Sequence, residues 1–69
     1  MRYFVSNDDL IPLHEQPSNG YTKLQAIERA QREAHQAHIL FNIPIADTVK
    51  WFHILDDNYH YCKELDSAI

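Results

Sequence analysis

Cysteine and glycine are almost missing from this chain: Cys62 and Gly20 are the only examples. A lone cysteine excludes an internal disulfide, and it suits a reducing compartment better than a secreted one. A chain of 69 residues buries only about 60% of the surface it exposes when unfolded. An efficient core, a metal or self-association must then replace the missing cross-links. No apolar run approaches the roughly 18 residues of a membrane span. The N-terminal MRYFVSNDDL also lacks the apolar core of a signal peptide. These absences predict one soluble, cytoplasmic domain without membrane contact.

Basic residues are scarce too. Six Lys and Arg stand against ten Asp and Glu, a formal charge of -4. Arg2, Lys23, Arg29, Arg32, Lys50 and Lys63 are dispersed along the chain, and Glu28 and Glu33 offset the two helical arginines. A general nucleic-acid binder needs a cationic surface that displaces phosphate counterions, so no nucleic-acid partner is expected. Five histidines are many for this length. Their protonation near pH 6 would reduce the negative charge and make association pH-sensitive.

The present residues define one helix well. Thr22-Lys23-Leu24-Gln25 has capping-box form. Between Lys23 and Phe41 there is neither proline nor glycine. Leu24, Ile27, Ala30, Ala34, Ala37 and Phe41 recur every three or four residues and predict one apolar stripe, with alanines permitting close approach to a sheet. Glu28 and Arg32 have the spacing of an i,i+4 ion pair. Asn42 is the expected C-cap, and Pro44 stops continuation.

Strands are read from short β-branched and aromatic runs. They fall near residues 2–5, 10–13, 48–55 and 59–65, with the helix over 22–41. Pro12 restricts the second run to an edge. His14 to Tyr21 is a loop, and Asp56-Asp57-Asn58 turns the second hairpin. The expectation is α+β: a β-β-α-β-β domain with one long helix on a mostly antiparallel sheet of about four strands.

The stretch WFHILDDNYHYC carries the candidate site. Strand alternation puts Val49, Trp51, His53 and Leu55 on one face, and Lys50, Phe52 and Ile54 on the other. One helix covers one face only. The uncovered aromatic face then predicts a partner surface at Trp51, Phe52, Tyr59 and Tyr61, used for self-association or for another protein. The bland alternative is that the tyrosines are amphipathic cover with their hydroxyls in water. An edge strand offers a second docking mode.

Metal and catalytic readings have less to stand on. His35 and His38 are i,i+3 neighbours, and His53, His60 and Cys62 lie across the hairpin, but zinc needs about four well-placed ligands and neither CxxC nor HxxxH occurs. Cys62 with His53 or His60 resembles a nucleophile and base without an orienting third group; a lone cysteine is more often a small buried hydrophobe. Asp8-Asp9 and Asp56-Asp57 sit where turns want aspartate. No phosphate loop, dinucleotide fingerprint or nucleophile elbow is present. No enzyme, cofactor or metal site is expected. The reading is a small non-enzymatic interaction module, a homodimer or the partner of another protein. The alternatives are a histidine-based metal-binding or pH-responsive module, and a small acidic inhibitor of a basic nucleic-acid-binding protein.

Overall fold

Capping chemistry starts and stops the helix where the sequence asks. The Thr22 side chain accepts from the Gln25 N–H at 3.2 Å, and the Gln25 side chain accepts from the Thr22 N–H at 3.1 Å. Asn42 ends the helix with φ 54 and ψ 42, the left-handed conformation that asparagine tolerates. The computed structural model describes residues 1–69. Its order is β1 (Tyr3–Ser6), α1 (Lys23–Phe41), α2 (Ile45–Thr48), a 3₁₀ turn (Val49–Trp51), β2 (His53–Asp56) and a C-terminal 3₁₀ segment (Lys63–Ala68). The class is α+β, with one long helix on a two-stranded antiparallel sheet. The four-stranded β-β-α-β-β arrangement does not form.

Each missing strand has a physical reason. Residues 10–13 meet β1 at a single bridge, Ser6 with Pro12. Leu13 donates to the Val5 carbonyl, and then the Gln16 side chain takes over. Its Oε1 accepts from the Val5 N–H at 2.7 Å, and its Nε2 donates to the carbonyls of Val5 and Leu13. Residues 48–51 are helical instead of extended. Pro44, with φ -53, opens the short helix, and the Thr48 hydroxyl donates to the Ala34 carbonyl at 2.9 Å. That buried contact overrides the strand preference of Thr, Val and Trp. Residues 59–65 pair with β2 as a single bridge, Leu55 with Tyr61, before the chain turns into the 3₁₀ segment.

The helix buries Ala26, Ala30, Ala34 and Ala37. Leu24 and Phe41, placed in the same stripe by periodicity, are instead 65% and 59% exposed: Phe41 lies at the end of the helix, and Leu24 sits about 120° round the helix from Ala30, off the buried face. Small side chains let the helix approach Val5 and Ile54, which with Ala26, Ala30, Cys62 and Leu65 form the core. The ion pair also differs from expectation: Arg29 reaches Glu33 at 2.8 Å. Arg29 also donates to the Tyr21 hydroxyl and to the carbonyls of His14 and Glu15, so the pair forms where the loop is tied to the helix.

The face of the sheet turned from the helix is not open. Phe4 and Leu55 are register partners there and both are buried, as is Ser6 opposite His53. Tyr59 lies on Phe4 at 5.2 Å between ring centroids, and Tyr61 meets His53 edge-on at 5.0 Å. The chain's own turn covers the second face.

Candidate interaction surface

The structure disperses the four residues read as one partner surface. Trp51 ends the 3₁₀ turn, half-buried, with its ring 6.1 Å from Phe41. Phe52 packs against the core. Tyr59 and Tyr61 stay at the turn beyond β2, each on a different aromatic neighbour. The expected grouping assumed that residue 51 lay in a strand; the helical turn through Val49–Trp51 aims it elsewhere.

Both edges of the sheet are occupied. On β1, Tyr3 exchanges two backbone hydrogen bonds with Tyr21, and Gln16 and Leu13 satisfy Val5. On β2, Asp56 donates to the His60 carbonyl, and Cys62 donates to that of Ile54. The main-chain row that an added strand would use is already engaged.

Leu10, Ile11 and Leu24 are exposed singly or as a pair, and the largest run of exposed apolar side chains is at the C-terminal end of α1. Ile39, Leu40 and Phe41 are 66%, 75% and 59% exposed, and Ile45, at the start of α2, is 42% exposed. Consecutive helical residues point about 100° apart, so the three surround the helix end instead of lining one face. The backbone beneath them is well held: Asn42 turns the chain, and the His38 ring meets the Ile43 carbonyl through Nδ1, which must carry the proton there. Between Glu33 and Asp56 the only formal charges are Asp47 and Lys50, of opposite sign. This part of an acidic chain is electrically neutral.

A polar cluster forms separately, and sequence reasoning missed it. Asp66, in the C-terminal 3₁₀ segment, accepts from the Tyr61 hydroxyl, and its two carboxylate oxygens lie 3.1 and 3.2 Å from His53 Nδ1. The bond to Asp66, then burial and the carboxylate charge, push the Tyr61 hydroxyl up to about 12. No spacing rule links residues 53, 61 and 66; the bridge from Leu55 to Tyr61 and the turn after it bring them together.

The cluster does not reach a free nucleophile. Ser6 faces His53 in register, but it is wholly buried and its hydroxyl donates to the Asn7 carbonyl. Cys62 lies in the core, where burial pushes its thiol up from its ordinary value, followed by the negative charges of Glu64 and Asp56. His60 stands 3.8 Å from Asp56 at the surface, so His53, His60 and Cys62 do not converge. No three His, Cys, Asp or Glu side chains come together, and the surface has no pocket. No helix is long and apolar enough to cross a membrane. Comparison with protein-family models, curated proteins and solved structures finds no match.

Proposed function

We propose that this chain is a small non-enzymatic protein–protein interaction module whose contact surface is the apolar end of α1 with Trp51. The carrying observation is the group Ile39, Leu40, Phe41 and Ile45, all large, apolar and exposed around one helix end. A concentration of large exposed apolar side chains marks contact sites on small domains. Trp51 stays in the reading, now as the floor beneath Phe41. Tyr59 and Tyr61 take the role of cover for the second sheet face. The unpaired, buried Cys62 supports work in a reducing compartment.

The test is a photo-crosslinking residue at position 40, in protein made in its own cells, with position 28 on the outer mid-helix as the control. A discrete protein adduct from position 40, absent from position 28, is expected. Equal or no capture at the two positions would remove this reading.

A further inference from the structure

We infer that His35 and His38 form a two-histidine chelate on α1 that takes one divalent first-row transition ion, Cu(II) most tightly, with water in the remaining positions. The inference is independent of the interaction reading above.

Spacing alone does not make this site, since any two histidines at i,i+3 share a helix face. The structure adds a fixed ring. The His38 Nδ1–H donates to the Ile43 carbonyl, just past the helix end. In the neutral imidazole Nε2 then carries the lone pair. Metal-binding histidines are held in this way, with the other ring nitrogen on a carbonyl or carboxylate that sets tautomer and orientation. Asn42, in its left-handed conformation, turns the chain so that Ile43 lies beside His38.

Distance allows the second ligand. The His35 and His38 ring centres are 6.1 Å apart. Metal–nitrogen bonds of about 2.1 Å put the ring centres of two bound imidazoles about 4.5 to 5.5 Å apart, for bond angles of about 90 to 110°. His35 is exposed, and a small rotation of its side chain closes the difference.

The donor set selects the ion. Two neutral imidazoles suit Cu(II), Ni(II) and Zn(II), with Cu(II) first in the affinity order, and they do not suit Mg(II) or Ca(II). No third His, Cys, Asp or Glu joins the pair, so the site is open and holds its ion less tightly than a closed four-ligand site. Arg32, one turn before His35, opposes the cation and weakens it further. The remaining histidines are placed differently. His53 is engaged by Asp66, and His60 faces Asp56, one oxygen of which already accepts from two backbone N–H groups. His35 and His38 are neighbours only while α1 is helical, so the ion binds the folded chain.

The experiment titrates untagged, chelator-treated protein with Cu(II) at neutral pH, read by calorimetry and by electron paramagnetic resonance. One ion per chain is expected, with hyperfine coupling to two imidazole nitrogens, and excess Mg(II) leaves it bound. His35→Gln changes an exposed position and should lower affinity on the order of tenfold or more, with an unchanged circular-dichroism spectrum. His38→Gln should do the same, and the double variant should bind no ion at this affinity. His14→Gln, His53→Gln and His60→Gln should each bind as wild type. Wild type that binds no ion, or a signal from a single nitrogen, overturns the chelate. So does binding that survives His35→Gln undiminished, or that His60→Gln or His53→Gln lowers as much as His35→Gln does. Release by Mg(II) overturns the assignment of the ion class.

Discussion

The two ends of α1 are built to different rules. At the N-terminal end, Thr22 and Gln25 cap the backbone reciprocally, and the loop from His14 to Tyr21 lies against the helix. Arg29 holds that loop through the carbonyls of His14 and Glu15, and Gln16 carries it on to β1. At the C-terminal end the backbone is equally well finished, by Asn42 and by His38 on the Ile43 carbonyl. The side chains above it are bare. A helix end thus has two separate requirements, polar groups paired and apolar groups covered; both ends meet the first, and against the single exposed Leu24 at the N-terminal end the C-terminal end leaves Ile39, Leu40 and Phe41 bare. Substitutions at the N-terminal end should cost stability and leave association alone. Substitutions at the C-terminal end should do the reverse.

The largest expected effect is at Gly20, where the loop closes on β1. Its φ is +80, and a Cβ there would lie 2.9 Å from the Tyr3 carbonyl oxygen and 3.1 Å from Arg2 Cβ. Gly20→Ala combines left-handed strain with a backbone clash and should destabilise by about 3 kcal/mol. Urea denaturation measures it. A loss under ~0.5 kcal/mol would mean that the loop yields easily and that the two ends differ less than claimed.

Gln16→Ala comes next. It strips the side-chain partner from the buried Val5 N–H, which should cost about 1 to 3 kcal/mol. Photo-crosslinking from position 40 should give the wild-type adduct under conditions where the variant remains folded. Reduced capture at equal folded fraction would tie the loop to the contact surface and blur the contrast.

Leu40→Ser tests the other end. Leu40 is 75% exposed, so its replacement should change stability by no more than ~0.5 kcal/mol while abolishing partner capture by a photo-crosslinking residue at position 39. A drop of ~2 kcal/mol or more, the cost of an emptied core site, would show that Leu40 serves packing within the monomer.

The same contrast explains what could be read without coordinates. Thr22, Gln25 and Asn42 act through bonds a few residues away, so the helix and both its caps were legible. So was the turn at Asp56, whose side chain accepts from the N–H of Asn58 and His60. Two strands were legible in part, residues 2–5 as β1 and the end of 48–55 as β2; the rest were not, because Gln16, Thr48 and Tyr59 act through partners 11, 14 and 55 residues away: Val5, Ala34 and Phe4. Periodicity placed Phe41 on the buried stripe correctly by angle, but angle says nothing about where the sheet ends. Trp51, Phe52, Tyr59 and Tyr61 do not share one face for a similar reason: the helical turn through Val49–Trp51 follows the bond from Thr48 to the Ala34 carbonyl, a contact that no local pattern records.

Cys62 gives a subtler comparison, between the sheet side of the core and the bare helix end. Burial beside Val5 and Ile54 holds its thiol protonated and out of reach. Alkylation with iodoacetamide at pH 8 should be slow in the folded protein and rise sharply in urea. A cysteine placed at Leu40 should react at the rate of a free thiol. Comparable rates at the two positions would show that the core opens readily and that the helix end is not distinctively exposed.

The smallest effect is expected at the Asp66 cluster, which pins the C-terminal 3₁₀ segment to β2. The Tyr61 hydroxyl ionises at about 12 in the fold and at about 10 in an unfolded chain. The group's folded pKa is raised, so its contribution to stability is fully present below about pH 10 and disappears as pH climbs through 12. Tyr61 is 38% exposed, so solvent screening keeps that contribution small. Tyr61→Phe keeps the ring against His53 and removes only the proton donor to Asp66. Its stability should lie slightly below wild type at neutral pH, and the gap should close between pH 10 and 12. A gap that persists undiminished at pH 12 would mean that the hydroxyl contributes through packing against its neighbours, and that Asp66 holds the C-terminal segment through His53 alone.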